Sequence, residues 1–144
     1  MPRFGSNGYK NGRSVVAFGK ETIAVEAEAF RFKPLGGMLV VYPPKGLEDL
    51  DEPLTRTVAA LLDQQLQGIE EPAVIVDLSG IEYFGSIFIS LLLRFWGRVK
   101  ARGGTMVLCG ATGGAMEILR LSNLDTLCPV YETVEDAISA LSID

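Results

Sequence analysis

Ala73-Val74-Ile75-Val76-Asp77 constrains this chain more than any other stretch. Four consecutive apolar residues ending in an acid do not suit a strand with one face in water. They suit an interior strand covered on both faces, as in a parallel sheet flanked by helices. The flanking segments must then supply the cover, and they have the right period. Leu54, Val58, Leu61, Leu62 and Leu66 recur at three- and four-residue steps, one apolar stripe of a helix. Asp51, Glu52 and Pro53 stand at its start, where acids meet the positive end of the helix dipole and proline is tolerated. Gly68 marks its end.

On the other side, Leu78 to Gly85 read as a connection and Ser86 to Arg102 as a second helix, stopped by Gly103-Gly104. Ile87, Leu91, Phe95 and Val99 form its apolar stripe, flanked by Leu92 and Trp96, so it needs cover over much of its circumference. Thr105 to Cys109 repeats the buried-strand pattern. Gly110 to Gly114 read as a loop, Ala115 to Leu121 as a short helix and Val130-Tyr131 as an edge strand. Thr133 is the expected N-cap of a last helix whose inner face is Val134, Ala137, Ile138 and Leu141.

Upstream, Ile23 to Lys33 largely alternates apolar and polar residues, which predicts a half-buried strand. Pro34-Leu35-Gly36-Gly37 is a turn signal and Met38 to Tyr42 a second, more buried strand, so the two make an opening hairpin. The order is β-β-α-β-α-β-α-β-α. It predicts an α/β domain with a mixed, mostly parallel sheet of four to five strands and helices packed against it. Residues 1–22 read as a flexible extension rich in Gly, Asn, Ser and basic residues, and residues 23–144 as the domain.

The chain has 144 residues and a formal net charge of −5, which lacks the basic bias of a nucleic-acid binder. It has no histidine. That removes the usual general base, the Ser-His and Cys-His nucleophile systems and the commonest metal ligand. We therefore expect no enzyme, no cofactor and no metal. The acids Glu48, Asp49, Asp51 and Glu52 are read as suiting a helix start. Cys109 and Cys128 sit in apolar surroundings, belong to no CxxC pair and read as buried free thiols. No apolar run is long enough to span a bilayer; Ile87 to Trp96 is too short and is broken by Ser90 and Arg94. Neither a signal peptide nor a membrane partner is expected, and a cytoplasmic location follows.

The stretch Val74-Ile75-Val76-Asp77-Leu78-Ser79-Gly80-Ile81-Glu82-Tyr83-Phe84-Gly85-Ser86, followed by Ala101 to Leu108, Leu119 to Asp125 and Val130 to Ala137, resembles the STAS domain (sulfate transporter and anti-sigma factor antagonist). The resemblance runs from about Phe30 to Leu141. It implies a regulatory protein-binding module that docks an anti-sigma factor or kinase-like regulator. It also implies a phosphorylation site at Ser86, the serine after the family's turn aspartate. A helix N-terminus there would stabilise an added phosphate; read without the family, Ser86 is an ordinary N-cap. The family's Asp-Ser-Ser-Gly stands here as Gly85-Ser86-Ile87-Phe88. Gly85, Ser86, Phe88 and Ser90 are the partner-binding candidates, with Ile87 expected in the core and Phe88 in an apolar patch. Two alternatives stay open. One is an unphosphorylated STAS-like scaffold or assembly subunit. The other is a nucleotide or small-molecule binder using Gly110 to Gly114, whose spacing is not G-x-G-x-x-G. The sheet edge and the Phe88 region could each pair with a second copy. Asp77 is expected to accept hydrogen bonds from the Leu78–Gly80 turn.

Overall fold

The apolar run is the central strand of a five-stranded sheet. A computed structural model describes residues 4–10, 13–18, 21–24 and 30–142, with side chains from residue 30 onward. In chain order the elements are β1 Phe4–Lys10, β2 Arg13–Phe18, β3 Glu21–Ala24, β4 Arg31–Leu35, β5 Met38–Tyr42, α1 Glu52–Leu66, β6 Ala73–Asp77, α2 Ser86–Ala101, β7 Thr105–Cys109, α3 Gly113–Leu121, α4 Leu124–Leu127, β8 Val130–Tyr131 and α5 Val134–Leu141. The main sheet has the order β4-β5-β6-β7-β8. Only the β4–β5 pair is antiparallel; β5–β6, β6–β7 and β7–β8 are parallel. This is the mixed, mostly parallel sheet that the element order predicts.

The period of two along the strands divides the core. Val74 and Val76 of β6, with Leu39 and Val41 of β5 and Met106 and Leu108 of β7, face the layer built by α1, α2 and α3. Ile75, Val40, Val107 and Cys109 point the other way, onto Ala137, Val134, Ile138 and Leu141 of α5. Both faces of β6 are thus dry.

The caps explain the helix boundaries. Asp51 Oδ1 accepts the Leu54 amide at 2.9 Å at the start of α1, and Thr133 Oγ1 accepts the Asp136 amide at 3.0 Å at the start of α5. At the end of α2, Gly103 N donates to Lys100 O at 2.9 Å and Gly104 N to Val99 O at 2.9 Å. This is a Schellman motif with Gly103 at φ +74°. A β-carbon on Gly104 would collide with the Pro72 carbonyl oxygen, so the turn into β7 has room only for glycine. Across the α1–α2 contact, Arg94 reaches Glu52 at 3.0 Å, and Arg98 and Arg102 reach Asp63 at 2.8 and 3.7 Å.

Several boundaries differ from the sequence expectation. The expected strand Ile23–Lys33 has its two ends in different sheets. Glu21–Ala24 pairs with β2 in a separate antiparallel sheet β1-β2-β3, and Arg31 onward pairs with β5. Residues 25–29 lie outside the described residues. The hairpin turn is narrower than Pro34–Gly37: Pro34 stands in β4 opposite Leu39 and Leu35 opposite Met38. Proline is tolerated because β4 is an edge strand, where a missing N–H breaks no ladder. With Arg31, Lys33 and Pro34 along it, this edge is poorly suited to pairing with another copy. Helix α3 starts at Gly113, two residues early, with Thr112 as N-cap. The short helix α4 is absent from the sequence reading; its N-cap Asn123 sits in the left-handed region at φ +62° and seats Leu124 in the core.

Candidate functional site

Two loops leave the carboxyl ends of adjacent parallel strands, β5 and β6, and the space between them is an open cleft of about 550 Å³. Such a position is where α/β sheets place ligands and partners.

The β6 loop is held from its first residue. Asp77 Oδ1 accepts the Ser79 amide at 2.9 Å and the Ser79 hydroxyl at 2.6 Å, the turn role expected of Asp77. Leu78 N donates to Cys109 O at 2.8 Å, and Ile81 N to Leu78 O at 3.1 Å. Gly110, at φ +79°, packs directly on this turn; a β-carbon there would lie 2.8 Å from Asp77 Oδ1 and collide with Ser79 Oγ. The loop then turns two apolar side chains inward. Ile81 and Phe84 are buried, and Phe84 meets Phe88 edge to face with centroids 5.0 Å apart. Between them Glu82 and Tyr83 turn outward, and Tyr83 is 75% exposed.

Gly85, in extended conformation, is the N-cap of α2, and Ser86 is the first helical residue. This corrects the reading of Ser86 as the cap. Gly85 O accepts the Ile89 amide at 3.2 Å, and no side chain caps the helix. Ser86 is exposed on the cleft wall. The opposite wall is Lys45, Leu47, Glu48 and Leu50 from the β5–α1 loop. The Lys45 side chain lies across Gly80, its Nζ 3.2 Å from where a β-carbon on Gly80 would stand.

The candidate residues fall into place unevenly. Gly85 and Ser86 line the cleft and are exposed. Phe88 and Ile87 both bound the cleft, but Phe88 is only 1% exposed and belongs to the core, whereas Ile87 is partly exposed. The expected roles of these two are reversed. The buried set of α2 is Phe88, Leu91, Leu92, Phe95 and Val99, so the stripe begins one residue later than the 87-91-95-99 spacing suggests. The Phe84 ring draws Phe88 inward. Ser90 is half-buried and does not line the cleft. Nor does any residue of Gly110 to Gly114, whose first glycine serves the Asp77 turn.

Lys45, Leu47, Leu50 and Tyr83 were not singled out from the sequence. The available signal was topological: both loops follow carboxyl ends of buried strands.

Among the described residues no group of three His, Cys, Asp or Glu side chains is placed to hold a metal. Cys109 and Cys128 are free and buried. Burial, with the Asp77 carboxylate adding to it, pushes the Cys109 thiol up to about 12, and burial pushes Cys128 to about 11. Neither is a thiolate near neutral pH. Among the described residues no helix is long and apolar enough to cross a membrane.

The family model of the STAS domain matches residues 48–137. The chain belongs to the STAS domain family. A STAS domain protein from Planctomyces limnophilus superposes with a TM-score of 0.68 at 30% identity, covering 79% of this chain and 98% of that one. The anti-sigma F factor antagonist of Paenibacillus polymyxa is 20% identical over 95 residues, 66% of this chain and 81% of that protein. The Bacillus cell fate determinant SpoIIAA in its phosphorylated form shares the fold, with a TM-score of 0.58 at 18% identity over 78% of this chain and 99% of that one. This STAS domain is therefore anti-sigma factor antagonist-like, of a class whose members are regulatory binding proteins.

Proposed function

We propose that this STAS domain is a regulatory, non-enzymatic binding module of the cytoplasm that docks a kinase-type anti-sigma factor or related signalling protein in the cleft at the start of α2, with Ser86 as its phosphorylated residue. The observation that carries this reading is the position of Ser86: exposed, first in α2, on the wall of an open cleft beside exposed Tyr83. The hydroxyl can be reached by an incoming kinase, and a phosphate there would face the free amides of the first helical turn. It would add about −1.5 to −2 charges to a cleft already lined by Glu48 and Glu82. A partner seated on Leu47, Leu50 and Ile87 would then lose an apolar contact to a charge.

A second reading, an unphosphorylated scaffold, has one feature in its favour. Gly85 stands where the family carries an acid, and the first turn of α2 holds no acidic residue. Pull-down from native lysate with wild type and Ser86→Asp side by side separates the two. A kinase-like partner held by the wild type and lost by Ser86→Asp supports the switch. The same partners on both forms, with no kinase among them, overturn it in favour of the scaffold.

A further inference from the structure

Among the described residues, helix α2 has one side that no other element covers. Phe88, Leu91, Leu92, Phe95 and Val99 lie in the core, and Arg94 and Arg98 reach sideways to Glu52 and Asp63 of α1. The periodicity of the helix then leaves Ser86, Ile89, Ser90, Leu93, Gly97 and Lys100 on the outer side, with Trp96 at its flank. Leu93, in the middle, is 42% exposed, and Ser86, Gly97 and Lys100 are exposed as well.

The domain's own packing gives no reason for Gly97. Its backbone is helical, not left-handed, and a β-carbon there would meet nothing within 4 Å. Glycine inside a helix is destabilising relative to alanine, so a side chain at this position would stabilise the isolated domain. What the glycine supplies is a notch in the outer surface of α2, one turn from the exposed Leu93.

The same face is complementary to itself. In an antiparallel pair of α2 helices centred on Leu93, positions equally far from Leu93 on either side stand opposite one another. Ile89 then meets Gly97, a branched side chain against the notch. Ser90 meets Trp96, small against large. Lys100 meets Ser86, at the cleft that Glu48 and Glu82 line, so the basic end of each helix lies toward the acidic cleft of the other. Near the centre the face carries no charge, and opposed helix directions bring opposite dipole ends together.

We infer that this face is an isologous interface, through which two copies of the chain pair with their α2 helices antiparallel. The pairing goes beyond the docking reading of the cleft and holds whether or not a partner enters it. It gives the domain a route to assembly of its own.

Sedimentation equilibrium of the full chain tests the pairing. A reversible dimer should form between about 1 and 500 µM. Gly97→Leu fills the notch and should weaken the dimer at least about tenfold. Its urea midpoint, read at a dilution where both proteins are monomers, should be no lower than that of wild type, since the new side chain enters open space. Leu93→Cys places a thiol at the centre of the pair, and Cys109 and Cys128 are buried and take no part. Packed helices lie about 8–10 Å apart, within reach of a short bis-maleimide. Leu93→Cys should therefore crosslink to a dimer at least about fivefold faster than Leu121→Cys, at an exposed leucine of α3. A monomer throughout that concentration range overturns the interface. A dimer left equally tight by Gly97→Leu, or equal crosslinking of the two cysteine variants, overturns it too, because the contact would then lie on another surface.

Discussion

Asp77 and Ser79 share one carboxylate oxygen: Asp77 Oδ1 takes both the amide and the hydroxyl of Ser79, at 2.9 and 2.6 Å. This pair turns the chain out of the central strand and toward the start of α2. Gly110 covers it from the next strand, with no space for a β-carbon. The loop that carries Tyr83 to Ser86 thus hangs from a turn fixed on three sides.

Gly110→Ala tests that arrangement. The residue sits at φ +79°, a conformation that costs an L side chain about 1–3 kcal/mol, and the added methyl would press on Asp77 and Ser79. The expected loss is about 3 kcal/mol, read as a lower urea midpoint with unchanged slope. Asp77→Ala, at a more exposed position, should cost about 1 kcal/mol. A Gly110→Ala protein as stable as wild type would contradict the packing.

The reversal at the start of α2 gives a ranking. Phe88 is buried against Phe84, so Phe88→Ala should cost about 3–5 kcal/mol. Ile87 is only partly buried, and Ile87→Ala should cost about 1 kcal/mol or less while weakening whatever binds the cleft. Equilibrium urea unfolding of both variants decides it; the opposite order would restore the spacing-based assignment.

Most of the fold was legible because local signals agreed with one another. The apolar runs at β6 and β7, the acids and proline opening α1, Thr133 at α5 and the Gly103-Gly104 stop each had a single reading, and together they dictated the sheet. The site was harder. A stripe of apolar residues fixes a helix face only to within about one residue, since Leu91, Phe95 and Val99 serve a stripe that begins at either Ile87 or Phe88. The Phe84–Phe88 ring contact settles the phase, and it depends on a loop conformation set by Asp77 and Gly110. The cleft itself joins Lys45 and Leu47 to Ser86 across about forty positions of sequence, a proximity that only the β5–β6 pairing creates. Helix α4 escaped because four residues carry no periodicity.

Residues 1–22 are proposed as an extension outside the domain. The family match covers 48–137 and the main sheet begins at Arg31, so deletion of 1–22 should leave one cooperative transition. Its midpoint should correspond to a change of less than about 1 kcal/mol, as expected for a surface contact. Differential scanning calorimetry of the truncated and full chains checks this. A loss of several kcal/mol, or a second transition in the full chain alone, would place the segment within the cooperative unit.

The two thiols predict an alkaline limit to stability. Burial, aided by Asp77, raises Cys109 from 9.0 to about 12, and burial raises Cys128 from 9.0 to about 11. Both folded values lie above the unfolded one. Below pH 9 both states hold the protons and the thiols contribute no pH dependence. Above it the unfolded chain releases protons that the folded chain keeps, so stability falls with rising pH until the folded thiols ionise too. The slope is at most about 1.4 kcal/mol per pH unit per thiol. Urea midpoints at pH 8 and 10.5 should therefore differ by at least about 2 kcal/mol more in wild type than in Cys109→Ala/Cys128→Ala, whatever cavity cost lowers the variant's baseline. Both thiols should also resist a maleimide at pH 7.5 until the protein is unfolded. Equal pH dependence in the two proteins would mean that neither thiol is held protonated by burial, and rapid labelling of the folded chain would mean that at least one is open to solvent.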